Sequence, residues 1–243
     1  LLALAPTDAG RDQLAAGMEE GLRGNAVQNP PKSLLNETIK LWKSRPHTPQ
    51  LISFATRLGL HEAMDEAIAL VKNPKTPASE RRALTQLLSE RRSANALKLL
   101  LGQFESEKNS KRRIELMTAL QRFNSKSVST ALLAHYADMP QRERETAQNI
   151  LSSRANWSLE FIQAVDTGKI EREEVRPATV LAIQNHKQKT IDALVKKHWG
   201  QLRQSTEAKQ QRMTAVAALI AENKGDAKAG KLVFAIACAA CHR

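Results

Sequence analysis

The residues with the most pointed chemical potential are Cys238, Cys241 and His242, arranged as Cys-x-x-Cys-His. Two thiols three positions apart can each form a thioether to a vinyl group of one porphyrin. The adjacent imidazole is then held beneath the iron as proximal ligand, so one short string sets both the covalent tether and the axial bond. Cys238 and Cys241 are candidate attachment points for haem c, and His242 is the candidate iron ligand. Other uses of the pair fit less well. A structural zinc site needs four ligands, yet these are the only two cysteines among 243 residues, and a distant His such as His198 would have to be recruited. A thioredoxin-like pair needs a βαβ setting, and the sequence around it reads as helical.

The element that must position this string is a short helix running into Cys238. Gly230 and Phe234 stand four apart on one face of it; the segment resembles the first helix of c-type cytochromes, which implies that the small residue admits a crossing helix and the aromatic packs near the haem edge. Residues 232–241 are the longest unbroken apolar run, at ten residues. A bilayer span takes about twenty, so no transmembrane helix is expected.

Other reactive side chains form no second constellation. His47, His61, His135, His186 and His198 are scattered without a metal-ligand spacing, and each reads as a surface or loop residue. Asp65-Glu66 and Glu171 with Glu173-Glu174 read as helix-face acids rather than a catalytic dyad. Met18, Met64, Met117, Met139 and Met213 read as core or turn residues, and Trp42, Trp157 and Trp199 as packing anchors. No catalytic site is expected in this segment.

Composition sets the fold class. Apolar residues make up 42%, enough to bury a core, while aromatic content is only 4%. Ala, Leu, Lys, Arg, Glu and Gln dominate over β-branched residues, which favours helix and disfavours an all-β fold. Helical periodicity runs almost end to end, broken by short loops. Thr76 is expected to cap a helix with Pro77 at its first position. Ser125 is expected to cap another, Gly168 to stop one, and Pro31 and Pro177 to open others.

The breaks recur. Leu58, Leu88, Leu120 and Leu151 close first helices at separations of 30, 32 and 31 residues, and second helices follow at 63–71, 94–104, 128–136 and 157–165. Such a helix pair cannot bury its own apolar face, but stacked copies can. The expected fold is all-α: a HEAT-like α-solenoid of about four to five helix pairs over residues 1–168. Residues 169–224 follow as a charged bridge, further helices and a linker, and residues 225–243 open a cytochrome c domain.

Net charge is +12. Arg81-Arg82, Arg91-Arg92 and Lys111-Arg112-Arg113 lie near helix starts or turns, with Lys187, Lys189, Lys196 and Lys197 beyond. HEAT-like solenoids can hold DNA on a basic face, but no aromatic stacking platform accompanies these clusters, so nucleic acid is disfavoured. Solvated helix faces, or docking of an acidic redox partner, suit the pattern better.

A resemblance gathers these features. Leu151-Ser152-Ser153-Arg154-Ala155-Asn156-Trp157-Ser158-Leu159, Ala164-Val165-Asp166-Thr167-Gly168-Lys169-Ile170, Trp199-Gly200, Gly225-Asp226, Gly230 and Cys238-Ala239-Ala240-Cys241-His242 occur in this order. The succession resembles the large PVC-type bacterial proteins that join a β-propeller dehydrogenase-like domain, HEAT-like repeats and a C-terminal c-type cytochrome domain. The likeness covers residues 31–243 and is most specific from residue 151 onward. It implies an exported or periplasmic electron carrier with covalent haem at Cys238 and Cys241 and His242 on the iron. It also implies a redox partner protein, or a dehydrogenase domain of the same chain, as the exchange partner. Leu rather than Met at position 1, and an end at Arg243, one residue after the string, lead to the expectation of a piece of a longer protein, with the distal ligand and propeller outside it. The alternative is a basic helical-repeat module that binds a protein or nucleic acid, its Cys-containing tail incidental.

Overall fold

The computed structural model describes residues 2–25, 27, 29–200, 207–222 and 225–239. Among them the chain is all-helical, with no strand. In order the helices are α1 (Asp8–Gly21), α2 (Lys32–Ser44), α3 (Pro49–Leu58), α4 (His61–Lys72), α5 (Ala78–Arg91), α6 (Ala94–Ser106) and α7 (Ser110–Leu120). There follow α8 (Lys126–His135), α9 (Gln141–Leu151), α10 (Ala155–Asp166), α11 (Pro177–Gln184), α12 (Lys189–Trp199), α13 (Glu207–Glu222) and α14 (Ala227–Ala237). The chain divides into two compact units, Leu1–Val195 and Lys196–Arg243.

The first unit is a two-layer stack. Helices α1, α3, α5, α7 and α9 pack one on the next, α6, α8 and α10 pack in the second layer, and short turns join the layers. Four leucines give the stack its beat: Leu58, Leu88, Leu120 and Leu151 are all buried. They seal each first helix against its neighbours, which is why the apolar stripe of one pair needs the next pair. Trp157, wholly buried, fixes α10 by donating from Nε1 to the Ser125 carbonyl at 3.2 Å.

Side chains reaching across one repeat step tie the stack a second time. Arg91 Nη1 donates to the Arg57 carbonyl at 3.2 Å, Arg154 Nη2 to the Gln121 carbonyl at 2.7 Å, and His186 Nε2 to the Ser152 carbonyl at 2.9 Å. Each acceptor lies at the C-terminal end of a first helix, where carbonyls lack helical partners and the dipole is negative. A cationic or imidazole donor from the following turn satisfies it.

Local signals decide the ends. Ser125 caps α8, accepting from the Ser127 amide, and Pro177 opens α11. Gly168, at φ 71°, follows the end of α10, with its amide bonded to the Val165 carbonyl. The expected Thr-Pro start occurs at Thr48 and Pro49, where the Thr48 hydroxyl accepts from the Leu51 amide. It does not occur at Thr76 and Pro77. There a turn closes between the Asn73 carbonyl and the Thr76 amide, Thr76 is buried, and α5 begins at Ala78 with Pro77 as an N-cap lacking a side-chain bond.

The compact unit also runs past Gly168, where the repeats were expected to end. Ile170 and Val175 bury themselves along the charged bridge, and Gln148 on α9 accepts from the Thr179 hydroxyl on α11 at 2.9 Å. The charged composition of residues 169–176 hides these two apolar anchors, so α11 extends the stack.

Candidate functional site

The helix carrying the Cys-x-x-Cys-His string is α14 in the second unit. Asp226 caps it, its carboxylate accepting from the Lys228 and Ala229 amides at 2.8 and 3.2 Å. An anionic cap at this end is favoured by the helix dipole. The helix stops at Cys238, whose backbone leaves the helical region at φ −122°, ψ −31°. The Cys238 and Ala239 amides both bond to the Phe234 carbonyl at 2.9 Å, so the chain tightens around the last turn as it enters the string. Cys238 carries a free, half-buried thiol. Cys241 and His242 lie outside the described residues.

The flank of α14 is apolar and open. Leu232, Val233 and Ile236 are exposed, and Phe234 is 49% exposed. A Cβ placed on Gly230 would meet no atom within 4 Å. Gly230 and Phe234 therefore share an unpacked face, as their spacing implies. The Cys238 thiol thus stands at the end of a helix whose apolar face is open. Helix α13 is open as well, with Met213 at 60% exposure, so Met213 is neither core nor turn as expected. Met64, Met117 and Met139 are buried core residues, and Met18 is half-buried.

The remaining candidates resolve into structural pairs. His47 stacks on Trp42 at 3.6 Å, with Nδ1 at 2.5 Å from Glu66 and Nε2 at 3.0 Å from the Trp42 carbonyl. Glu66 is thus a partner for a loop histidine rather than a general acid. His135 meets Phe104 edge-on, His186 holds the Ser152 carbonyl, and His61 is exposed. Glu173 is fully exposed, and the Arg172 guanidinium holds its carboxyl below the usual range.

Charge clusters expected to be solvated faces are in part load-carrying ties between repeats. Arg112 pairs with Glu115 one turn on, at 3.1 Å, and also reaches the Thr85 hydroxyl on α5 at 2.8 Å. Arg113 lies 3.1 Å from Glu143 and 4.9 Å above the Phe104 ring. Arg91 donates to the Val27 carbonyl at 2.8 Å, and burial pulls its guanidinium pKa down. The open groove beside α1, α3 and α5, about 620 Å³, is lined by Glu19, Arg23, Arg57 and Glu90. Arg57 pairs there with Glu19 and Glu90, and Arg23 with Glu19 and Glu20, so these four charges serve one another. Sequence reasoning missed this bridging role, although the recurrence of Arg near the end of each first helix carries the signal.

No family model matches the chain, and no curated protein matches it either.

Proposed function

We propose that this chain carries haem c, attached through Cys238 and Cys241 with His242 on the iron, and serves electron transfer. The repeats act as scaffold and docking surface. The observation that carries this reading is the Cys-x-x-Cys-His string placed at the end of α14, a helix with an unpacked apolar face. When bound, the group supplies a one-electron iron couple. The chain's own residues do the rest. The Cys238 and Cys241 thiols tether it, Leu232, Val233, Phe234 and Ile236 offer apolar surface that lowers the local dielectric, and Asp226 fixes the start of the helix.

The resemblance to PVC-type cytochromes with HEAT-like repeats supports the same reading and implies a parent protein outside the cytoplasm, joined to a dehydrogenase-like module. No described helix is long and apolar enough to cross a membrane. The test is a haem-stained denaturing gel of the full-length protein matured in a host with a c-type attachment system. A stained band is expected, and no stain would overturn the proposal.

A further inference from the structure

The two edges of the solenoid differ in charge. At one edge lie the turns within each helix pair: beyond the uncharged Gly59-Leu60 turn before α4, four basic turns follow, Arg91-Arg92-Ser93 before α6, Gln121-Arg122-Phe123-Asn124-Ser125 before α8, Ser152-Ser153-Arg154 before α10, and Asn185-His186-Lys187-Gln188 before α12. Lys126 and Lys189 begin α8 and α12 at the same edge. These four turns contain no acidic residue. At the opposite edge, the turns between pairs carry Glu107, Asp138, Glu171, Glu173 and Glu174 among their lysines and arginines.

The last three of these turns are bonded one to the next, and the first is tied to the end of α3. Arg91 reaches the end of α3, Arg154 the end of α7, and His186 the end of α9. Arg92, Lys126, Lys187 and Lys189 are exposed, and none has a carboxylate partner among the described residues. Arg92 and Lys187 both stand at φ 52°, at the tips of their turns. Burial, and then the charge of Arg92, lower the Arg154 pKa, which reflects the like charges gathered at this edge.

We infer that this edge docks an extended acidic polypeptide segment of a partner protein. Stacked helices lie about 8–10 Å apart, so successive turns present cations at that interval. An extended chain advances about 3.3–3.6 Å per residue, which brings every third side chain opposite the next turn. Four turns match a segment of about ten residues. A nucleic-acid strand fits less well, since Phe123 is buried and Trp157 is covered by the Arg154 guanidinium at 4.1 Å, which leaves no Phe, Tyr or Trp ring in these turns for a base. A membrane surface fits less well too, since no large apolar side chain is exposed in these turns among the described residues. The inference stands on the first unit and does not need haem at Cys238.

The test uses the full chain and three probes: a labelled ten-residue peptide with Glu at every third position, an oligo-dT strand of equal length, and phosphatidylglycerol vesicles. The peptide is expected to bind at low salt and to weaken about tenfold as ionic strength rises to ~0.15 M. R92E/K126E/K187E should lose at least about tenfold in affinity. K75E/K108E/K169E changes the net charge equally from the opposite edge and should lose under about threefold. R92Q/K126Q/K187Q, monitored by circular dichroism, gives the same direction without introduced repulsion. Equal losses from the two edges, tighter binding of DNA or vesicles, or no peptide binding at low salt would each overturn the inference. Repeating the titration with C238A/C241A protein separates it from the haem proposal, because the peptide affinity should not change.

Discussion

Arg57 and Glu90, 33 residues apart in sequence, meet at 2.6 Å inside the solenoid with their side chains 3% and 2% exposed. Arg57 also reaches Glu19 at 2.9 Å and the Asn25 carbonyl at 3.1 Å, so one guanidinium joins α1, α3 and α5. Charges this deep are stabilising only while every partner is present, because an unpaired buried ion carries its full desolvation cost.

Arg57→Ala should therefore cost about 3–5 kcal/mol, since Glu90 would keep only its bond from Gln86. Glu90→Ala should cost less, because Glu19 still faces Arg57. Replacing the pair together, Arg57→Met with Glu90→Leu, should recover much of the loss. Urea unfolding measures all three. A loss below about 1 kcal/mol for Arg57→Ala would show the pair to be incidental.

Tyr136 provides a pH test that reads one group, because it is the only tyrosine in the chain. Burial raises its pKa above the ordinary value near 10, against the opposing bond that Gln148 donates to its oxygen. The folded protein thus holds this proton more tightly than the unfolded chain does. Its contribution is constant at neutral pH and falls as pH rises past about 10, where the unfolded phenol ionises first. Absorbance titration at the phenolate band should give a midpoint above that of free tyrosine. Tyr136→Phe should reduce the alkaline loss of stability, and a midpoint at or below the free value contradicts the prediction.

Gly59 ends α3 at φ 90°, and a Cβ there would stand 2.7 Å from Arg91 Nη2. Gly59→Ala meets two penalties, the left-handed backbone and displacement of the Arg91 side chain from the Arg57 carbonyl. A loss of about 2 kcal/mol is expected in thermal or urea unfolding. Gly102→Ala, inside α6 with no atom within 4 Å, should be neutral or mildly stabilising.

The solenoid was legible from the leucine beat, because burial of one residue per first helix is a property that sequence spacing preserves. Leu58, Leu88, Leu120 and Leu151 needed no other information. The cross-repeat ties were less legible: Arg91 belongs to a cluster that reads as solvated surface, and nothing local marks Arg57 or Arg154 until the fold brings residues 33–34 apart into contact. The extension into α11 was hidden for the same reason, since two buried residues, Ile170 and Val175, sit among seven charged or Pro neighbours' worth of polar signal in residues 169–177. Met213 failed in the other direction. Its helical spacing with Val216 and Ile220 implies a buried stripe, yet that stripe is open. For the candidate site, the Cys-x-x-Cys-His spacing was legible at once, and the open apolar face of α14 that leads into it was not.

His242 is expected to act through the iron rather than through packing. His242→Ala should shift the Soret band of any attached haem and change its reduction potential, with the unfolding midpoint of the first unit unchanged. Bound haem whose spectrum and potential match the unsubstituted protein would remove His242 from the ligand role.

The central claim, a covalent porphyrin on two thiols, is tested most directly by intact mass under denaturing conditions after maturation with a c-type attachment system. The account predicts a chain heavier by one haem, with the addition mapped to the peptide containing Cys238 and Cys241 and absent from C238A/C241A. A chain of unmodified mass, with both thiols free to alkylate, would contradict it.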